Sequence, residues 1–96
     1  MDKYVLIAQE IVLKIMQNQP FKVFLFGSRA AATHKKFSDI DIGFIGEGEL
    51  PTLLKSDMED ALEESIVPYK VDLVDFGTVS EAFRAQALQN IQVWKN

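Results

Sequence analysis

The sequence predicts an α/β protein, because runs with a two-residue apolar period alternate along the chain with stretches whose apolar residues recur at helical spacing. Three runs carry the strand signal, at residues 21–26, 38–45 and 70–76, and helical patterns precede, separate and follow them. Composition agrees. Over 96 residues, 48% are hydrophobic and 25% charged, enough apolar material for one core and too little chain for a second domain beside it. A single domain over residues 1–96 is expected.

In the first segment Tyr4, Ile7, Ala8, Ile11 and Ile15 recur at helical spacing, Val5, Val12 and Met16 widen the apolar face, and Asn18-Gln19-Pro20 ends it. The run Phe21-Lys22-Val23-Phe24-Leu25-Phe26 is rich in β-branched and aromatic residues and stops at Gly27. A central strand covered on both faces has this composition. Ser28 suits a helix N-cap and Arg29 to Ala32 a helical start, so a short helix is predicted directly after the strand.

From Ser38 to Ile45 the chain alternates: Asp39, Asp41 and Gly43 fall on one side of a strand, Ile40, Ile42 and Phe44 on the other. Gly46-Glu47-Gly48 makes a turn. Pro51 suits a first helical position, Leu54, Met58, Ala61 and Leu62 form the stripe of the next helix, and Pro68 closes that region. Lys70 to Phe76 alternates again, with Val71 and Leu73 on one side and Asp72 and Val74 on the other. Thr78 and Glu81 have capping-box spacing before a helix carrying Phe83, Ala87 and Ile91 on one face. The last residues, Ile91 to Trp94, fit that helix or a short edge strand equally well.

Several function classes are excluded. There is no cysteine, so disulfides and thiolate metal sites are ruled out. The N-terminal segment is interrupted by Asp2, Lys3, Gln9, Glu10 and Lys14, whereas a membrane span needs about 20 mostly apolar residues; a cytoplasmic protein is expected. A net charge of −4 argues against broad, charge-driven nucleic-acid binding. A small anionic ligand remains compatible if a divalent cation held by carboxylates accompanies it.

Asp39 and Asp41, two apart on one strand, place two carboxylates on a common side within reach of a hard cation. Taken alone, such a pair is more often a solvated strand face. The upstream element changes this: strand, Gly27-Ser28, ten residues, then Asp39-Ile40-Asp41 on the next strand. Glycine lets a phosphate approach the backbone, N–H groups at a helix start favour negative charge, and the Ser28 hydroxyl adds a donor. Asp72 and Asp75 both compete to be a third carboxylate. Asp72 points opposite to Val71 and Leu73, whereas Asp75 shares their side near the strand end, where a turn or cap role is expected. His34, Lys35 and Lys36 read as a solvated polar loop, and Glu47 and Glu49 as a soluble turn.

The segment LFGSRAAATHKKFSDIDIGF resembles the signature of polymerase-β-type nucleotidyltransferases, in particular their minimal members, and the resemblance extends over essentially the whole chain. It implies an α/β fold around a small mixed β-sheet flanked by helices. It further implies that Gly27, Ser28 and Arg29 bind the triphosphate of ATP, and that Asp39, Asp41 and Asp72 are catalytic and hold two Mg2+ ions. The implied reaction transfers AMP to an acceptor hydroxyl with release of pyrophosphate. Minimal members often pair with a small helical HEPN-type protein, which implies an antitoxin-like role and a tyrosine of that partner as acceptor; self-association is left open. Family members commonly read G-S-R-A-R-G, where this chain has Ala31 and Ala32 in place of the second arginine and the glycine. The alternative reading is accordingly a binding module with a vestigial nucleotide site. Phe37 has no explanation in the motif.

Overall fold

The computed structural model describes residues 2–96, as four helices and four strands arranged α1 Lys3–Met16, β1 Lys22–Phe26, α2 Gly27–Ala30, β2 Ile40–Ile45, α3 Thr52–Glu63, β3 Val71–Asp75, α4 Glu81–Ala87 and β4 Gln92–Lys95. The strands form one mixed sheet in the order β3-β2-β1-β4. β1 is antiparallel to β2 and to β4, whereas β2 and β3 run parallel, joined by the crossover helix α3. The terminal segment is therefore an edge strand, and Trp94 belongs to it and not to a helical face. A register shift between Val23 and Phe24 bends its pairing with β1. The Lys95 ammonium fastens this edge by donating to the carbonyls of Gln19 (2.7 Å) and Phe21 (2.9 Å).

Alternation along the strands divides the interior in two. Val23 and Leu25 of β1, Ile40, Ile42 and Phe44 of β2 and Leu73 of β3 face α1 and α3, packing on Val5, Ala8, Val12, Met16, Met58 and Leu62. Phe24 and Phe26 face the other way, onto Phe76, with Val74, Ala87, Leu88 and Ile91 packed around them. Their rings meet edge to face: Phe24–Phe76 centroids are 5.0 Å apart and Phe26–Phe76 5.1 Å. Gly43 permits this, since a Cβ there would run into the rings of Phe24 and Phe76.

Helix α1 is rotated from the expected stripe. Its buried residues are Val5, Ala8, Val12 and Met16, while Tyr4, Ile7, Ile11 and Ile15 flank them and are only partly covered. Apolar residues occupy so wide an arc of this helix that periodicity defines the arc without its centre. Two caps also shift by a residue or two. Pro51 sits at the N-cap position of α3. Ser80, not Thr78, caps α4, its hydroxyl accepting from the Phe83 N–H at 3.1 Å. Thr78 instead donates to the Asp75 carbonyl at 3.0 Å. Among the described residues no helix is long and apolar enough to cross a membrane.

Candidate active site

The site forms where β1 ends and β2 and β3 begin. Antiparallel pairing sets Phe26 opposite Asp41, and parallel pairing sets Asp41 opposite Asp72. In-register residues on adjacent strands point to the same side of a sheet, so the two carboxylates lie side by side. Gly27 follows directly with φ of 75°, a left-handed conformation that suits glycine. A Cβ at this position would collide with Asp41 Oδ2, so the absent side chain is what makes room for the carboxylate.

Proximity is visible in the electrostatics. The Asp41 carboxyl is pushed up to about 6, first by its partial burial, then by the neighbouring charges of Asp72 and Asp39 and a hydrogen bond shared with Asp72; Lys70 opposes the shift. Two carboxylates that resist simultaneous ionisation favour a proton between them, or a cation in its place. Lys70 lies 3.5 Å from Asp72 Oδ1, but its exposed position screens that ion pair.

Asp39 does not join the pair. It precedes β2 and is exposed, and among the described residues no three acidic or histidine side chains converge closely enough to share an ion. The expected three-carboxylate cluster is thus a pair, Asp41 and Asp72, with Asp39 at its rim. Asp39 sits outside the ladder, where like charge and hydration favour turning to solvent. Asp75 behaves as its parity indicates: Oδ2 accepts from the Leu50 N–H (2.8 Å) and Oδ1 from the Gly77 N–H (2.9 Å), a turn role remote from the pair.

The helix after β1 begins two residues earlier than expected. Gly27, with its left-handed φ, opens the element after Phe26 at the cap position, so Ser28 lies within the first turn and does not cap it. The helix ends at once. Ala31 N–H reaches the Gly27 carbonyl, Thr33 N–H reaches the Ser28 carbonyl at 2.9 Å, and between them Ala32 adopts φ of 59°. This is the left-handed helix end that glycine normally occupies. The chain keeps the turn with alanine in it.

Arg29, expected among the nucleotide-binding residues, is not brought to the site. It is only 6% exposed. Its Nε donates to the Ser38 carbonyl at 3.0 Å, its guanidinium lies 4.5 Å from the Tyr69 ring centroid, and Nη1 is 3.7 Å from Asp2. Asp2 in turn caps α1 through the Tyr4 N–H (2.7 Å) and accepts from the Tyr69 hydroxyl (3.0 Å). The Tyr4 N–H is the chief reason its carboxyl sits below the usual carboxylate range. Arg29 therefore fastens the loop that leads to Asp39. Phe37, on the same loop, is 73% exposed and leans on Tyr69 with centroids 6.3 Å apart.

A cavity of about 740 Å3 opens beside the pair. Gly27, Ser28, Asp41 and Asp72 line one end, with Ala31 and Thr33. Phe83, Gln86, Ala87, Gln89 and Asn90 line the other. The sequence pattern places Phe83 and Ala87 on one helical face and does not mark these residues as a site. The recurrence of Phe83, Gln86, Ala87 and Asn90 at helical spacing was the available signal, and it also fits a helix packed on its sheet. Among the described residues the lining contains no lysine or arginine, so the cavity has no cationic side chain to meet a phosphate.

A mixed sheet with a Gly-Ser turn against paired strand carboxylates defines a nucleotidyl-transferring enzyme of the polymerase β type. The family model described as polymerase beta, nucleotidyltransferase, matches residues 9–96, and the chain belongs to that family. It is 41% identical over 76 residues to a Haemophilus influenzae protein named probable protein adenylyltransferase MntA, covering 77% of this chain and 67% of that protein. A solved structure of a candidate minimal nucleotidyltransferase superposes with a TM-score of 0.70 at 28% identity, over 96% of this chain and 95% of the other. A chain from the complex of a tri-AMPylated Shewanella oneidensis HEPN toxin with an MNT antitoxin superposes with a TM-score of 0.64 at 21% identity, over 93% and 70% of the two chains, and shows the shared fold.

Proposed function

We propose that residues 1–96 act as one Mg2+-dependent nucleotidyltransferase domain that transfers AMP from ATP to a hydroxyl of a partner protein, the favoured acceptor being a tyrosine of a HEPN-type protein. The observation that carries this reading is the in-register pairing of Asp41 with Asp72 beside Gly27 and Ser28. The name of the Haemophilus influenzae relative and the AMPylated complex of the Shewanella oneidensis protein support the choice of AMP and of partner.

The residues fit the metal. Asp41 and Asp72 offer adjacent hard oxygen donors, and the elevated Asp41 carboxyl marks a place where positive charge is favoured. They would hold the ions, together with Asp39 as the family resemblance implies. Bound divalent cations supply charge neutralisation for the entering and leaving oxygens of an in-line displacement. The backbone N–H groups of the α2 turn and the Ser28 hydroxyl hold the triphosphate, Gly27 lets it approach, and Asp72 receives the proton of the attacking hydroxyl. The acceptor oxygen bonds to the α-phosphorus as the bond to the β-phosphate oxygen breaks, leaving pyrophosphate.

The test is transfer of label from α-labelled ATP to a HEPN-type protein in the presence of Mg2+. Label on that protein with the wild type and none with Asp41→Asn or Asp72→Asn supports the enzyme. The second reading, a binding module that neutralises its partner by complex formation, is favoured by Ala31 at the cavity and by the absence of a cationic side chain from its described lining. Tight complex formation by wild type and Asp41→Asn alike, with no label in either, would establish that reading instead.

A further inference from the structure

The cavity is lined by two kinds of chemistry, acidic and hydroxyl groups at the strand ends and uncharged groups of α4 and the turn after it. The Ser28, Asp41 and Asp72 end serves phosphates and cations under the nucleotidyltransferase reading, on which this inference rests. The far end is an uncharged wall. Phe83 and Gln86 share one face of α4, and Gln89 and Asn90 continue it just beyond the helix.

Phe83 is held from behind and open in front. Its ring centroid lies 6.1 Å from that of Phe26 and 5.8 Å from that of Phe76, yet the residue is 42% exposed and lines the cavity. Both supporting rings are buried, so the platform is fixed before any ligand arrives. A rigid aromatic face of this kind is a surface on which a base stacks.

The polar groups beside it discriminate. A carboxamide offers a donor and an acceptor side by side and matches the N6–H and N7 of adenine, whereas guanine O6 and N7 are both acceptors and pair best with arginine or lysine. The wall carries three carboxamides, and the described cavity lining carries no arginine or lysine. We infer that Phe83 and the carboxamides of Gln86, Gln89 and Asn90 form a base-binding wall that selects adenine over guanine.

Calorimetric titration of the full chain with Mg2+ and four probes tests this: nonhydrolysable analogues of ATP, GTP and CTP, and inorganic tripolyphosphate, which has no base. The ATP analogue should bind tightest. Phe83→Leu, which keeps apolar volume without a π face, should weaken it about tenfold while leaving tripolyphosphate unchanged. Gln86→Leu and Asn90→Ala should narrow the ATP-to-GTP ratio by about fivefold or more. An ATP analogue that binds no better than tripolyphosphate, equal losses for both probes in Phe83→Leu, or an unaltered ratio in both amide variants would overturn the inference and leave the phosphate end intact. Failure of tripolyphosphate itself to bind with Mg2+ would remove the nucleotidyltransferase reading, and the base wall with it. Far-ultraviolet circular dichroism on each variant confirms that α4 has formed.

Discussion

The two faces of the sheet are built to different standards of closure. On one, α1 and α3 cover Ile40, Ile42, Phe44 and Leu73 with fully buried side chains. On the other, three phenylalanines and a seven-residue helix cover part of the same strands, and the uncovered remainder is the cavity. Both faces come from the same strands by simple alternation, so each strand contributes stability through one set of residues and chemistry through the set between them. The sealed face tolerates no vacancy. The open face carries features that cost stability: adjacent carboxylates, a left-handed alanine and an exposed aromatic ring.

Four substitutions would break or sharpen this contrast. The largest effect is expected from Phe44→Ala on the sealed face, a loss of about 3–5 kcal/mol of folding stability because the surrounding helices cannot collapse into the space; urea denaturation measures it. Next, Gly27→Ala meets both the positive φ and the Asp41 carboxylate. It should lower stability by about 2 kcal/mol and abolish Mg2+-dependent nucleotide binding by displacing Asp41.

Asp41→Asn should act in the opposite sense on stability. In the folded protein Asp41 holds its proton up to about pH 6, whereas in the unfolded chain it loses it near the ordinary 3.8. The folded state therefore binds more protons between those values, and stability falls as pH rises through that window. The asparagine variant lacks this penalty. Metal-free, it should match the wild type below pH 4 and exceed it above pH 6 by about 1 kcal/mol after allowance for solvent screening, although it loses metal binding. Thermal melts across pH 3.5–8 read the divergence, and parallel curves would refute it. The smallest effect belongs to Ala32→Gly, which should relieve the left-handed strain and add about 0.5–1 kcal/mol without altering nucleotide affinity.

Much of this arrangement was legible from residue order. Parity alone separated Asp72 from Asp75, because a residue's side of a strand is fixed by counting. The same counting placed Asp41 and Gly43 opposite Ile40, Ile42 and Phe44, and the apolar run before Gly27 gave the doubly covered central strand. Three placements were not legible in this way. Arg29 lies inside the motif and bears the right charge, but its guanidinium is claimed by Ser38, Tyr69 and Asp2, partners up to 40 positions away that no local pattern reveals. Asp39 obeys the alternation yet falls before the ladder begins, so parity does not govern where its carboxylate turns. The far wall of the cavity escaped notice because its spacing also suits a helix that merely packs, and only the fold shows that this helix stops short of covering the strands.

The parallel pairing of Asp41 with Asp72 separates the chemistry from the length of the connection between them. A side chain added at Gly48, in the turn that begins the crossover, would meet open space. Residues spliced in at Gly48 should leave the two acids facing each other. Removing Val71 alone, with the start of the strand held in place, would turn Asp72 toward Met58 and Leu62 and put an aliphatic group beside Asp41. The carboxylate pair should thus be indifferent to indels in the link and intolerant of a frame slip at the start of the strand.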